Sequence, residues 1–395
     1  MKAYNEQWIY NREIVNQAER WHKKQLLTSE QMQAVRQHYP VEFRQTNGFI
    51  EIGLFLFTTV AILACYLLPS SIYSALFSDD ITYGIFNCLF GLGTGLIGRL
   101  LIQRRSFYRN GVDNAFVVMQ TGFVVFGLNQ FLPNGLSVAT HCLFTLPFLL
   151  LVLWYYGDTL IAFFAIAALY TFIFDGLLEF SWGKDALPFV MMAVSGILYV
   201  ITRNPNIILS QSVLRSAYYT DPLNLAQWLS LIVLAASGNY FVVRELNGLL
   251  TKPHPAEAPE ISLAILFWLL TFVIPVLYLW QGIQKKDRML IILGILGLIA
   301  AFITFHEYKA LVPLNVALTI GGVVLVGLAI TGIQYLRKPK NGFTDAPDDD
   351  SPDEFFLTSE MLTTIQAAAG ASHAPKHDVK FGGGDFGGGG SAGKY

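Results

Sequence analysis

Few side chains in the apolar middle of this 395-residue chain have the type and spacing to do chemistry. Asp175 and Glu179 stand four apart and would share one helix face. Together with His141, Arg244, His306 and Glu307 they supply carboxylate, imidazole and guanidinium groups, which can hold a small ligand, a cation or a proton. His306 and Glu307 read as part of a very short turn between two apolar runs, so two helices would constrain them. Asn87, Asn129, Gln130, Asn239 and Glu245 add polar partners near the same run ends. The expectation is an outward-facing polar pocket; the plainer alternative is that run ends are wet and polar anyway. Deeper in the runs, Gln120 and Thr121 are neutral, and interhelical hydrogen bonding worth roughly 0.6–2 kcal/mol each accounts for them. Arg99 can snorkel to the headgroups and Glu51 sits in the first turn of its run, so the half nearer the cytoplasm reads as otherwise dry.

Other chemistries lack their residues. There is no His-x-x-x-His or Cys-x-x-Cys spacing for zinc, and Asp348–Asp350 lacks the glycine and distal glutamate of a calcium loop. Neither a Gly-x-Ser-x-Gly elbow nor a nucleotide loop is present, so no catalytic, cofactor-binding or metal-ligating set is assigned. Cys65, Cys88 and Cys142 lie within apolar runs and behave there as small hydrophobes, with a Cys65–Cys88 bridge as the minor alternative. With a net charge of −2 and no basic stripe interleaved with aromatics, nucleic acid is not an expected partner.

The elements that must position these groups are long apolar runs. Apolar residues make up 53% of the chain and charged ones 14%, against about a quarter charged in a soluble domain. A run of roughly 20 apolar residues covers the hydrocarbon of a bilayer, and within lipid such a run must be helical. The fold class is therefore all-α, a polytopic transmembrane helical bundle of about ten spans. They fall near 48–68, 83–102, 114–132, 138–156, 158–175, 186–202, 226–243, 261–281, 289–305 and 314–336. Lysine and arginine concentrate in alternate breaks, at Arg104, Arg105 and Arg109, at Arg203 and Arg215, and at Lys285, Lys286 and Arg288. By the positive-inside rule both termini face the cytoplasm. The polar leader is too long for a cleaved signal peptide, so the first span would act as an uncleaved anchor. Gly91, Gly93, Gly95 and Gly98 make the second span a close-packing helix, and Pro147 and Pro275 should kink spans four and eight.

Three domains follow: 1–47, 48–336 and 337–395. The first reads as a cytoplasmic helical hairpin, with Thr28 and Gln31 forming a capping box at its second helix. The last reads as an acidic linker, a short helix near 355–369 and a largely disordered Gly-rich tail from Phe381 to Tyr395. The hairpin and the tail are the segments through which a cytoplasmic protein partner could bind, and the lipid bilayer is the one partner the composition demands.

Several short stretches resemble a family of bacterial integral membrane proteins known only as domain of unknown function 2157. They are Trp21-His-Lys-Lys-Gln-Leu-Leu-Thr-Ser-Glu-Gln31 ahead of the first span, His306-Glu307-Tyr308-Lys309, Gly321-Gly322, and Tyr335-Leu336-Arg337-Lys338-Pro339. The resemblance implies a bacterial inner-membrane location and carries no activity or catalytic residues. Two function classes remain: a non-enzymatic membrane scaffold or sensor with partner-binding cytoplasmic ends, and a small-molecule or ion transporter. Ten spans would permit two inverted five-span repeats, but the glycine-rich span two and proline-bearing span four lack counterparts in the second half.

Overall fold

The structure is a computed structural model. It describes residues 2–43, 48–72, 79–133, 135–204, 213–251 and 258–309, with scattered positions from 313 to 337. Among these residues it is all helical. Two polar helices, α1 (Glu6–Lys23) and α2 (Ser29–His38), precede the apolar ones. These are α3 (Gly48–Ile72), α4 (Asp80–Arg105), α5 (Val112–Gln130), α6 (Val138–Tyr156), α7 (Thr159–Leu178) and α8 (Gly183–Arg203). After them come α9 (Val213–Gly238), the short α10 (Tyr240–Leu250), α11 (Ala264–Lys285) and α12 (Arg288–Lys309).

Local chemistry sets many of these boundaries. Asn5, Asp79, Asp158 and Asn239 each turn a side-chain oxygen back onto the first free N–H groups of α1, α4, α7 and α10. The capping box expected at Thr28 and Gln31 is present, with Thr28 N donating to Gln31 Oε1 at 2.9 Å and Gln31 N to Thr28 Oγ1 at 3.2 Å. Gly157 ends α6 in the left-handed region, followed at once by the Asp158 cap, so two helices join across a two-residue turn.

Among the described residues, seven helices are long and apolar enough to cross a membrane: α3, α4, α6, α7, α8, α11 and α12. An eighth arises if the pair Ala217–Gly238 and Tyr240–Leu250, bent by 75°, is one broken span. Seven or eight of the ten expected spans are thus supported among the described residues. The third expected span does form a helix, α5, which Asp113, Asn114, Gln120, Asn129 and Gln130 make more polar than the other seven. Helix α5 tolerates them because it packs against α3, α4, α6 and α7 and meets protein where a peripheral helix meets lipid. The expected seventh span, 226–243, is not one straight helix, because Asn239 stops α9 and caps α10 in a new direction. The expected tenth span falls mostly outside the described residues, and the linker, short helix and Gly-rich tail after 337 lie outside them entirely.

The glycine-rich face of α4 sits directly on α5. A Cβ at Gly91 would come 2.7 Å from Val124 Cγ2 and 2.9 Å from the Gln120 carbonyl, and one at Gly98 would come 2.8 Å from Phe116 Cβ. Pro275 lies within α11, where Gly297 of α12 makes room for its ring. Phe57, Leu96 and Ile265 (86% exposed) point away from the protein, an arrangement that suits a lipid solvent. Helices joined by short turns alternate in direction, which gathers Arg104, Arg105, Arg109, Arg203, Lys285, Lys286 and Arg288 at one end of the bundle, here termed the basic end. Helix α9 is central, in contact with α1, α7, α8, α10, α11 and α12.

Candidate functional site

The basic end holds the densest buried chemistry among the described residues. The loop between α4 and α5 wraps the Asp113 carboxylate, which is 1% exposed and accepts from Arg109 N at 2.8 Å and Asn110 N at 3.0 Å. Gly111 makes this wrap possible: its φ is +87°, and a Cβ there would lie 2.0 Å from the Glu51 carbonyl of α3. The third donor to Asp113 comes from the N-terminal segment, whose buried Tyr4 hydroxyl reaches Oδ2 at 2.9 Å. Burial, reinforced by the Asp113 charge, pushes the Tyr4 phenol well above its ordinary value, so it stays a donor. Burial also pushes up Tyr108, whose ring meets Tyr4 edge-on at 5.1 Å and stacks on Phe43 at 4.6 Å. Asp158 caps α7 close by, and burial raises its carboxyl above the usual carboxylate range despite the backbone N–H groups of Leu160 and Ile161.

The same segment runs on across the bundle end. Ala3 N donates to the Tyr155 carbonyl at 3.1 Å, and the Lys2 ammonium donates to the Trp154 carbonyl and the Tyr219 hydroxyl. Lys2 Nζ lies 4.1 Å from the Trp154 ring centroid, 4.7 Å from that of Tyr219 and 5.6 Å from that of Tyr218. Aromatic faces and two oxygens thus hold a half-buried ammonium, with the Trp154 side of this cage exposed.

Beneath the cage lies a cavity of about 580 Å³ between α6, α7, α8 and α9. Its walls are apolar along Leu146–Leu153, Ala162–Leu169 and Leu198, and its polar lining consists of Lys2, Glu6, Thr202 and Tyr219. A second cavity of about 450 Å³ adjoins the bend between α9 and α10, where Thr304 Oγ1 donates to Asn239 Oδ1 at 3.1 Å and Tyr240 N to Thr271 Oγ1 at 2.9 Å.

The residues expected to form an outward pocket take up different positions. Asp175 Oδ2 accepts from Ala139 N at 2.7 Å and so caps α6 from α7, while His141 Nδ1 lies 2.7 Å from Asn129 Oδ1. Arg244 belongs to another group: it donates to the Ala258 carbonyl at 3.1 Å and to the Tyr240 hydroxyl at 3.2 Å, and it covers the Tyr308 ring at 4.6 Å. Glu179 is the exposed residue just after α7. His306 and Glu307 stand in the last turn of α12 rather than in an interhelical turn. None of these six lines either large cavity. Gln120 Oε1 fills the space over Gly95, and Thr121 Oγ1 bonds its own helix at Val117 O, 2.6 Å away. Arg99 is exposed with its guanidinium 5.9 Å from the Tyr155 ring, as a snorkelling side chain would be. Cys65, Cys88 and Cys142 are free thiols.

The basic end thus carries buried polar chemistry that a reading confined to the apolar runs does not reach. Its polar groups sit in the leader and in the breaks between runs, where a search within the runs passes over them. The available signal was the tyrosine doublets, Tyr155–Tyr156 and Tyr218–Tyr219, at the basic ends of two helices, together with Asn110 three residues before Asp113. No protein-family model matches the chain, nor does any curated protein or solved structure.

Proposed function

We propose that this protein is a non-enzymatic, multi-pass membrane sensor or scaffold whose N-terminal hairpin is a docked, releasable module. One observation carries the reading. The chain before α1 is threaded into the bundle end through Lys2 and Tyr4, while Trp21 (47% exposed) and Leu26 (68% exposed), at the far end of the same hairpin, lie open. A single element thus joins the bundle's interior to an exposed apolar tip suited to a protein partner. The basic end corresponds to the cytoplasmic side under the positive-inside rule, which puts the hairpin in the cytoplasm. The resemblance of the leader to bacterial inner-membrane proteins of unknown function supports the same location.

The test is a photo-crosslinker at Trp21 in cells, compared in the wild type and in a Tyr4→Phe variant with a loosened segment. A discrete adduct whose yield changes with Tyr4→Phe supports a released docking module. Absence of any adduct, together with substrate flux by a form lacking residues 1–45, refutes it and favours transport. That second reading has one observation behind it: a broken span whose buried Asn239 faces the cavity of about 450 Å³, an arrangement used by transporters.

A further inference from the structure

We propose that the Trp154–Tyr218–Tyr219 cage and the cavity beneath it form a binding site for an ammonium-headed, single-chain amphiphile, and that Lys2 is a tethered ligand occupying its head position. The acceptors define the chemistry. The Tyr219 hydroxyl spends its proton on the Trp154 carbonyl at 2.5 Å, and the Tyr218 hydroxyl spends its own on the Tyr155 carbonyl at 2.7 Å. Tyr219 therefore presents lone pairs to whatever fills the cage, beside the Trp154 carbonyl and the faces of the rings. Glu6 at the same mouth adds a carboxylate. With Lys2 withdrawn, the groups that remain are oxygen acceptors, π-faces and an anion, a set that selects a cation and repels a carboxylate or phosphate.

The cavity supplies the other half. Polarity is confined to the cage end, and the walls beyond it are leucine, isoleucine and alanine. Leu146 and Trp154 bound it along α6, and at 1.5 Å rise per residue the eight steps from one to the other make it about 12 Å deep. That is most of one leaflet of a hydrocarbon core about 30 Å thick, a depth matched to an alkyl chain. An amphiphile that places its ammonium in the cage must expel Lys2, and the chain running from Lys2 to Tyr4 then loses one of its three anchors, keeping the Ala3 amide and the Tyr4 hydroxyl. The inference rests on reading the hairpin as a releasable module and supplies the ligand that releases it.

The experiment uses the full chain in phosphatidylglycerol nanodiscs, with dodecylammonium, a primary ammonium with N–H donors, and dodecanoate as matched probes. Amide exchange at residues 2–12 reports release, and titration gives the affinity of each probe. The ammonium probe is expected to raise exchange in this segment at least tenfold, and dodecanoate to leave it unchanged. Lys2→Met removes the competitor and should tighten ammonium binding by roughly 2- to 30-fold, the range of a cation–π contact. Ala165→Phe fills the cavity and should abolish probe binding while the segment stays protected. Weaker ammonium binding in Lys2→Met, or dodecanoate binding that depends on Lys2, would make Lys2 a counter-ion and overturn the proposal. Wild-type binding by Ala165→Phe would overturn the cavity assignment. A segment that opens in Tyr4→Phe but answers to neither probe eliminates the ligand and leaves the releasable module standing.

Discussion

Replacing Tyr4 by Phe removes one hydroxyl and nothing else from the bundle end. The ring remains buried, with its edge on Tyr108, so no cavity term arises. What disappears is the 2.9 Å hydrogen bond to the Asp113 carboxylate. Hydrogen bonds to charged groups contribute about 1.5–3 kcal/mol net. Asp113 keeps the N–H groups of Arg109 and Asn110, so it is not orphaned and the lower part of that range applies. A loss of about 1.5–2 kcal/mol raises the open fraction of the N-terminal segment roughly 10- to 30-fold. Amide exchange measures this directly: the Ala3 amide, bonded to the Tyr155 carbonyl, should lose protection by that factor while Val117–Gly127 in α5 keeps its own. The pH dependence provides a second readout. Because the folded Tyr4 phenol lies above its ordinary value, its contribution is fully present below pH about 10 and is lost as pH rises beyond it, so the wild-type segment should open in alkali. Tyr4→Phe should lose that alkaline step. Unchanged protection in the variant would show that the hydroxyl does not hold the segment. Equal loss in α5 would show that segment and bundle open as one unit, and the idea of a separable module would fail.

Three further outcomes follow from other parts of the structure. Asp158 is half-buried with its carboxyl raised by desolvation, so its ionised form costs stability that is absent below pH about 4 and grows as pH rises through the folded value. Asp158→Asn keeps an oxygen for the N–H groups of Leu160 and Ile161, and thermal melts from pH 4 to 7 should show a flatter profile with no loss at pH 7; a steeper profile contradicts the assignment. Gly91→Ala would drive a methyl against the Gln120 backbone and Val124 and should cost about 1–3 kcal/mol, whereas Gly95→Ala meets the movable Gln120 amide and should cost less; denaturant unfolding that reverses the order refutes the packing account. Asn239→Ala removes the α10 cap and the Thr304 partner, costing about 1–2 kcal/mol, and spin labels on α9 and α10 should report a broadened distance; an unchanged distribution would mean the bend is held elsewhere.

The runs between Gly48 and Lys309 were legible because lipid permits so few solutions: apolar length there implies helix. The Thr28 box and the α4 glycine face were legible for a different reason, each being a local rule that tertiary context did not override. The bend at Asn239 was not, since an asparagine within an apolar run signals a cap only once the chain is seen to turn there. The cage was hidden for a different reason. Its members lie at position 2, at 154 and at 218–219, and long-range placement of a lysine on a tyrosine doublet leaves no periodicity in the sequence.

The position of α9 explains why events at the two ends of the bundle need not be independent. At the basic end its Tyr218 and Tyr219 form the cage around Lys2, and α1 packs along it. At the other end it stops at Gly238, where a Cβ would come 2.3 Å from Ile274 Cδ1 of α11, before the chain turns by 75°. Between these points Leu231 packs with Ile274, Tyr278, Leu290 and Leu293, and Tyr278 donates to the Leu231 carbonyl at 2.9 Å. A helix held this tightly along its length moves as a body or not at all. Occupancy of the cage can therefore bias the bend only if α9 has two seats against α11 and α12, since coupling requires a two-state element that both sites favour differently. A Lys2→Met and Asn239→Ala double-mutant cycle tests for those seats. An interaction energy above about 0.5 kcal/mol between such distant sites would establish α9 as that element. Additivity would confine the sensor to the basic end, with the bend a separate, static feature of the fold.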